Sequence, residues 1–184
     1  MIKVYEKLKD GSSCLIREAC PEDAEEMLEY VDQVAGETDN LTFGQGEFKM
    51  TLEEEQDFIE KQLNSDRELM LIARKSDEIV GQINMNGNLK ERLAHKAEFG
   101  VTVRKEYWGL GIGRILVEMM LEYAREQGIK KINLAVLADN QRAISLYEKL
   151  GFKKEGREKM GMKIKGQYQN LIHMGLKNNN SRSD

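Results

Sequence analysis

Cysteine is nearly absent from this chain: Cys14 and Cys20 are the only two in 184 residues. A hydrophobic content of 40 % is enough for a core, so no disulfide staple is needed and the two thiols read as unpaired. Long apolar runs are missing as well. None approaches the roughly 20 residues that cross a bilayer, and the N-terminal stretch has no apolar region of the signal-peptide kind. Nor is there a block of Lys and Arg. The 28 basic and 32 acidic residues are spread along the whole length, giving a net charge of −4. That distribution argues against nucleic acid as a partner. Mild acidity suits a cationic substrate such as an amine. What these absences leave is a soluble, cytoplasmic chain with one domain over residues 1–177. The polar stretch 178–184 is expected to be a disordered tail.

The pattern along the chain predicts alternating strands and helices. Lys3–Lys7 and Ser13–Arg17 alternate around an Asp10-Gly11 turn. Pro21 stands at a helix start, and Ala24, Met27, Leu28, Val31 and Val34 recur at helical spacing. Residues 35–50 hold glycines and scattered aromatics and read as a long ordered loop of the kind that carries function. Thr51 and Glu54 form a capping box for a helix through Leu52, Phe58, Ile59 and Leu63. Strands Glu68–Arg74 and Ile79–Asn86 flank a short polar turn. Ala97–Val103 reads as a buried strand because its apolar residues are nearly continuous. A helix from about Gly113 to Gln127, with Ile115, Leu116, Met119, Met120 and Tyr123 on its apolar face, stops at Gly128. Strand Lys131–Val136, a helix ending before Gly151, and the hairpin Phe152–Met162 with Tyr168–Leu176 complete the chain. Such an order suits a mixed sheet with helices on both faces.

The most informative stretch is Trp108-Gly109-Leu110-Gly111-Ile112-Gly113-Arg114. Three glycines at every second position let a ligand approach the backbone closely. They lie where a strand gives way to a helix, so the free N–H groups of the first turn and the helix dipole favour an anion, most naturally phosphate. Arg104, Lys105 and Arg114 add positive charge. A dinucleotide fingerprint wants its third glycine one residue later and an acidic residue about twenty positions on; a Walker loop wants Gly-Lys-Ser/Thr. Neither is present. A glycine turn without a ligand is the plain alternative.

Here the chain resembles the GNAT superfamily of N-acetyltransferases, over roughly Leu15 to Leu176. Gly111 and Gly113 fill the glycine places of that family's Gln/Arg-x-x-Gly-x-Gly/Ala. Trp108 stands where Gln or Arg is more usual, as in the ribosomal-protein N-terminal acetyltransferase branch. Downstream, Asn140 through Phe152 is similar to the family's Asn-x-x-Ala-x-x-Leu-Tyr-x-x-x-Gly-Phe. The resemblance implies an α/β fold with a mostly antiparallel, splayed sheet and helices on both faces. It implies acetyl-CoA as co-substrate, its pantetheine paired with Val101, Thr102 and Val103 and its pyrophosphate on the amides of Leu110, Gly111, Ile112, Gly113 and Arg114. Arg104 and Gly109 belong to the same site. Asn140 and Tyr147 would flank the thioester, with Ala143 and Lys149 on their helix. A homodimer is implied too.

Acetyl transfer requires a neutral amine, a home for an oxyanion and a proton for the departing thiolate. A Lys-like amine with a pKa near 10.4 loses roughly 4 to 5 kcal/mol in becoming neutral at pH 7, whereas an α-amino group loses about 1 kcal/mol. Glu98 is the candidate base, directly or through a water; a solvent-facing strand glutamate is its plain alternative. Tyr147 is the candidate acid, against a core aromatic packed with Ile144 and Leu150. The oxyanion is expected at a backbone N–H near Val101, freed by a bulge. His95 and His173 have no partners at ligand spacing, and no metal is expected. A chain that binds acyl-CoA without turnover, as a sensor or interaction module, is the alternative function. The acceptor, a small amine or a protein N-terminus, is left open; loops 35–50 and 87–96 and the last hairpin are expected to choose it.

Overall fold

The computed structural model describes residues 2–178. Its strands and helices follow as β1 (Lys3–Lys7), β2 (Ser13–Glu18), α1 (Ala24–Glu37), α2 (Leu52–Leu63), β3 (Glu68–Lys75) and β4 (Glu78–Gly87). Then come β5 (Lys96–Val103), α3 (Ile112–Glu126), β6 (Lys131–Leu137), α4 (Gln141–Lys149), β7 (Lys153–Ile164) and β8 (Gln167–Lys177). The strands form one sheet in the order β1-β2-β3-β4-β5-β6-β8-β7. Every neighbouring pair is antiparallel except β5 and β6.

Local chemistry accounts for most of the boundaries. Thr51 Oγ1 accepts from the Glu54 amide at 3.2 Å while Glu54 accepts from the Thr51 amide at 2.8 Å, so α2 opens on a reciprocal cap. Ser76 and Asp77 both have positive φ, as do Lys165 and Gly166, and each pair closes a two-residue hairpin with the backbone twist such turns favour. Gly128, at φ +70°, stops α3. Arg17 grips Asp23 with two bonds of 2.6 Å, tying β2 to the entry of α1.

Helices cover both faces of the sheet. On one, Leu69, Leu71 and Ala73 of β3 share a core with Leu116 and Met120 of α3 and Ile144 of α4. On the other, Met70 and Ile72 pack with Met27, Val31 and Val34 of α1 and Ile59 of α2. Cover on both sides explains why Glu68 through Ala73 are all buried. A register shift pairs Ala73 with Gly81 and Arg74 with Ile79, leaving Val80 as a bulge. At Gly81 α3 lies so close that an added Cβ would come within 3.0 Å of Ile112 Cγ2.

Three expectations change, and α2 adds a finding of its own. Helix α1 runs to Glu37, so the loop begins at residue 38 and Gly36 is helical. Strand β5 is not buried: only Ala97 is, because β6 leaves its side beyond Glu98. On α2, Leu52 and Leu63 are exposed while Glu55 and Gln62 are buried. Asn178, assigned to the tail, is buried, and its Nδ2 donates to the carbonyls of Leu121 and Ile129 at 3.3 and 3.2 Å. The rest of that tail lies outside the described residues.

Candidate active site

The site begins where the sheet comes apart. Strands β5 and β6 pair at three positions, Lys96 with Lys131, Ala97 with Ile132 and Glu98 with Asn133, and then diverge. Arg104 N donates to Val80 O at 3.0 Å, so the even-numbered peptide groups of β5 face β4. The odd ones, at Val101 and Val103, face the side β6 has vacated. Trp108 Nε1 donates to Val103 O at 2.6 Å, which leaves the peptide groups of Val101 open to the gap. The register between β4 and β5 is unbroken from Gly87–Ala97 to Gly81–Val103. The expected bulge is therefore absent, and divergence from β6 frees these amides instead.

Above the gap, the glycine turn starts α3. Gly109 and Gly111 have φ of +90° and +101°, which few side chains tolerate, whereas Gly113 is helical and its added Cβ would meet Val103 Cγ2 at an ordinary 3.6 Å. The first bond within α3 runs from Ile115 N to Gly111 O, so the N–H groups of Ile112, Gly113 and Arg114 have no acceptor in the helix. No side chain caps them, and no acidic residue stands in that turn. The other helix starts differ: α1 and α2 carry glutamates in the first turn, and Asn140 caps α4. The start of α3 is thus suited to an anion.

Helix α4 makes the opposite wall. Asn140 Oδ1 accepts from the Ala143 amide at 3.1 Å, which spends its carbonyl on the cap and leaves its Nδ2 as a donor. Tyr147 is 8 % exposed, its ring packed 5.8 Å from both Phe99 and Phe152, and its hydroxyl has no hydrogen-bond partner among the described residues. Burial pushes this phenol up to about 12, so it stays protonated. Between the walls lies a cleft of about 570 Å³.

Most of the sequence-selected residues line this cleft: Val101, Thr102 and Val103 from β5, Gly109, Gly111, Ile112, Gly113 and Arg114 from the turn, and Asn140, Ala143, Tyr147 and Lys149 from the α4 side. Three do not. Leu110 packs against the core, and its carbonyl accepts from Lys9 N at 3.1 Å. Arg104 is engaged by two carboxylates instead, Glu78 at 2.7 Å and Glu106 at 2.5 Å. Glu98 lies outside the lining, on the sheet face that Thr102 shares; there Thr102 Oγ1 meets Tyr30 OH of α1 at 2.9 Å. Its side chain is exposed and makes no hydrogen bond or ion pair with the described residues.

The far wall is Val34 of α1 with Thr38, Asn40 and Leu41 of the loop expected to choose the acceptor; sequence reasoning missed Val34, Lys9 and Arg142 as lining residues. Arg142 sits within the Asn140–Phe152 motif, and its guanidinium lies 4.8 Å over the Trp108 ring. Nothing in the local pattern marks Lys9. Of the two histidines, His95 occupies the β4–β5 loop and His173 is held by Glu158 at 2.8 Å. Both cysteines are free thiols, pushed up to about 11, chiefly by burial.

A strand-edge groove that ends in an uncapped helix start defines a binder of an extended, phosphate-bearing ligand with amides along its length. Comparison makes that class specific: the model of the acetyltransferase (GNAT) family matches residues 37–152, and the chain belongs to that family. The acetyltransferase SG1711 of Sodalis glossinidius is 38 % identical over 94 residues, covering 51 % of this chain and 63 % of that relative, just under two thirds of its length. The GNAT-family acetyltransferase of Streptococcus pneumoniae superposes with a TM-score of 0.87 at 34 % identity, over 89 % of this chain and 99 % of its own. The yncA protein of Salmonella typhimurium, solved with its cofactor acetyl-CoA, shares the fold at a TM-score of 0.81 and 18 % identity, over 94 % and 98 % of the two chains.

Acetyl-CoA is the cofactor of this family, and the residues present fit it. The uncapped amides of Ile112 to Arg114 suit its diphosphate, and the open peptide groups of Val101 suit the amides of its pantetheine arm. Among the described residues no helix is long and apolar enough to cross a membrane.

Proposed function

We propose that this chain transfers an acetyl group from acetyl-CoA to a primary amine, by direct attack within a ternary complex. The observation that carries the reading is Tyr147: a phenol kept protonated by burial, its hydroxyl without a hydrogen-bond partner among the described residues, lining the gap beside the open edge of β5. When bound, acetyl-CoA supplies an activated acetyl group that a neutral amine displaces from sulfur. Tyr147 Oη then gives its proton to the leaving sulfur. The Val101 N–H, freed by the divergence of β6, holds the developing oxyanion. Glu98, with no other partner among the described residues, takes the proton of the amine, directly or through a water.

The acceptor is a small amine or a protein N-terminus, reached from the face where Glu98 and Thr102 lie. A cytoplasmic site of action accords with the two unpaired thiols. The test is thiol release from acetyl-CoA against a panel of polyamines, amino acids, aminoglycosides and N-terminal peptides. We expect turnover with at least one class. Tight acetyl-CoA binding with no turnover across the panel would favour the sensor reading instead.

A further inference from the structure

We infer that Lys9, carried by the β1–β2 hairpin, is a direct ligand of the cofactor's diphosphate, so that the cradle is completed by a segment remote from its motif. The inference rests on the reading of the cleft as a coenzyme A site. Its first support is placement. Lys9 N donates to Leu110 O at 3.1 Å, which pins the hairpin to the middle of the glycine turn. The hairpin itself is held tightly, with Leu8 N on Ser12 O at 2.8 Å and Gly11 N on Leu8 O at 3.0 Å. From this anchor the Lys9 side chain runs along Gly111: its Cγ and Cε lie 3.9 Å from where a Cβ on that glycine would stand. Both residues line the cleft.

The second support is charge. An ammonium group beside the uncapped start of α3 faces the positive end of the helix dipole, where a cation is unfavourable unless an anion lies between. Most of the neighbouring cations are already engaged. Arg104 is held by Glu78 and Glu106, Arg114 by Glu118 at 2.9 Å, and Lys75 by Asp10 at 3.5 Å, while Arg142 lies on the Trp108 ring. Lys9 has no carboxylate partner among the described residues. A diphosphate on the amides of Ile112 to Arg114 would satisfy both the helix start and this ammonium with charge-assisted bonds.

The experiment is calorimetric titration of the full chain with coenzyme A and with dephospho-coenzyme A, which lacks the 3′-phosphate. Lys9→Met keeps the aliphatic stem over Gly111 and removes the charge; Lys9→Arg restores it. We expect Lys9→Met to weaken both ligands by the same factor, roughly tenfold to a hundredfold, and Lys9→Arg to recover most of that loss. Wild-type affinity in Lys9→Met would overturn the inference while leaving the cleft assignment intact. A loss confined to coenzyme A would also overturn it, by moving Lys9 to the 3′-phosphate. If the wild-type chain binds neither ligand, the cleft assignment itself falls and takes the inference with it.

Discussion

In the proposed mechanism Tyr147 serves packing and chemistry together. Its ring closes an aromatic cluster with Phe99 and Phe152, and its hydroxyl is left for the cleft. Tyr147→Phe keeps the cluster and removes the proton, so stability and cofactor affinity should hold while the chemical step slows by about 10²–10⁴. A rate within threefold of wild type, under conditions where chemistry limits, would reduce the residue to packing. The raised pKa also fixes a sign. An unfolded phenol ionises near 10, the buried one near 12, so the stability this group contributes is full below about pH 10 and is lost as pH rises towards 12. Glu98 makes the opposite case: its side chain is exposed and has no hydrogen bond or ion pair among the described residues, so its proposed role stands on chemistry alone. For a strongly basic amine, Glu98→Gln should lose most activity at neutral pH and recover it as pH rises; for an α-amino acceptor the loss should be smaller and the profile nearly unmoved. Identical pH profiles for mutant and wild type on the best acceptor would remove Glu98 from the mechanism.

At the scale of elements, the two helix starts that face the cleft divide their tasks. Helix α3 leaves its first amides uncapped, whereas α4 spends the Asn140 carbonyl on its own cap; in the proposed site the free amides and the Asn140 Nδ2 are left for the ligand. Asn140→Asp preserves the cap and replaces that donor with a carboxylate, so cofactor affinity should fall while stability stays within about 0.5 kcal/mol. Asn140→Ala should lose affinity and also about 1 kcal/mol of stability, read by denaturant titration. Wild-type cofactor affinity in Asn140→Asp would mean that the Nδ2 has no part in the site. These helix starts were legible in the sequence because a cap, a glycine stop or an uncapped turn is written within four or five residues. The Thr51 box, the Gly128 stop and the cradle glycines all stand where local pattern puts them. What was not legible depends on distant elements. The apolar run in β5 looks like a buried strand, and only the departure of β6 makes it a cleft wall. Arg104 looked like a cradle cation, and only the folded positions of Glu78 and Glu106 turn it away. Lys9 lies about a hundred residues before the turn it touches, beyond the reach of any motif.

The molecule as a whole is a single sheet that opens at one seam. On one side stand β1–β5 and on the other β6–β8; beyond the core around α3 and α4, they are joined by the three β5–β6 pairs. A ligand seated in the seam binds the folded chain and not the unfolded one, so it must raise stability. At a hundred times its Kd the gain is about 2.7 kcal/mol. For a chain of this length each kcal/mol moves Tm by about 2–4 °C, so acetyl-CoA should raise Tm by roughly 5–11 °C. Hydrogen exchange locates the effect. The Val101 amide has no strand partner and should exchange quickly in the free chain, then slow when acetyl-CoA binds. The Thr102 amide, which faces β4, should change little, and acts as the control on the adjacent residue. A rise in Tm without protection at Val101 would mean that the ligand binds elsewhere than along β5, and the pairing on which the oxyanion assignment depends would have to be abandoned.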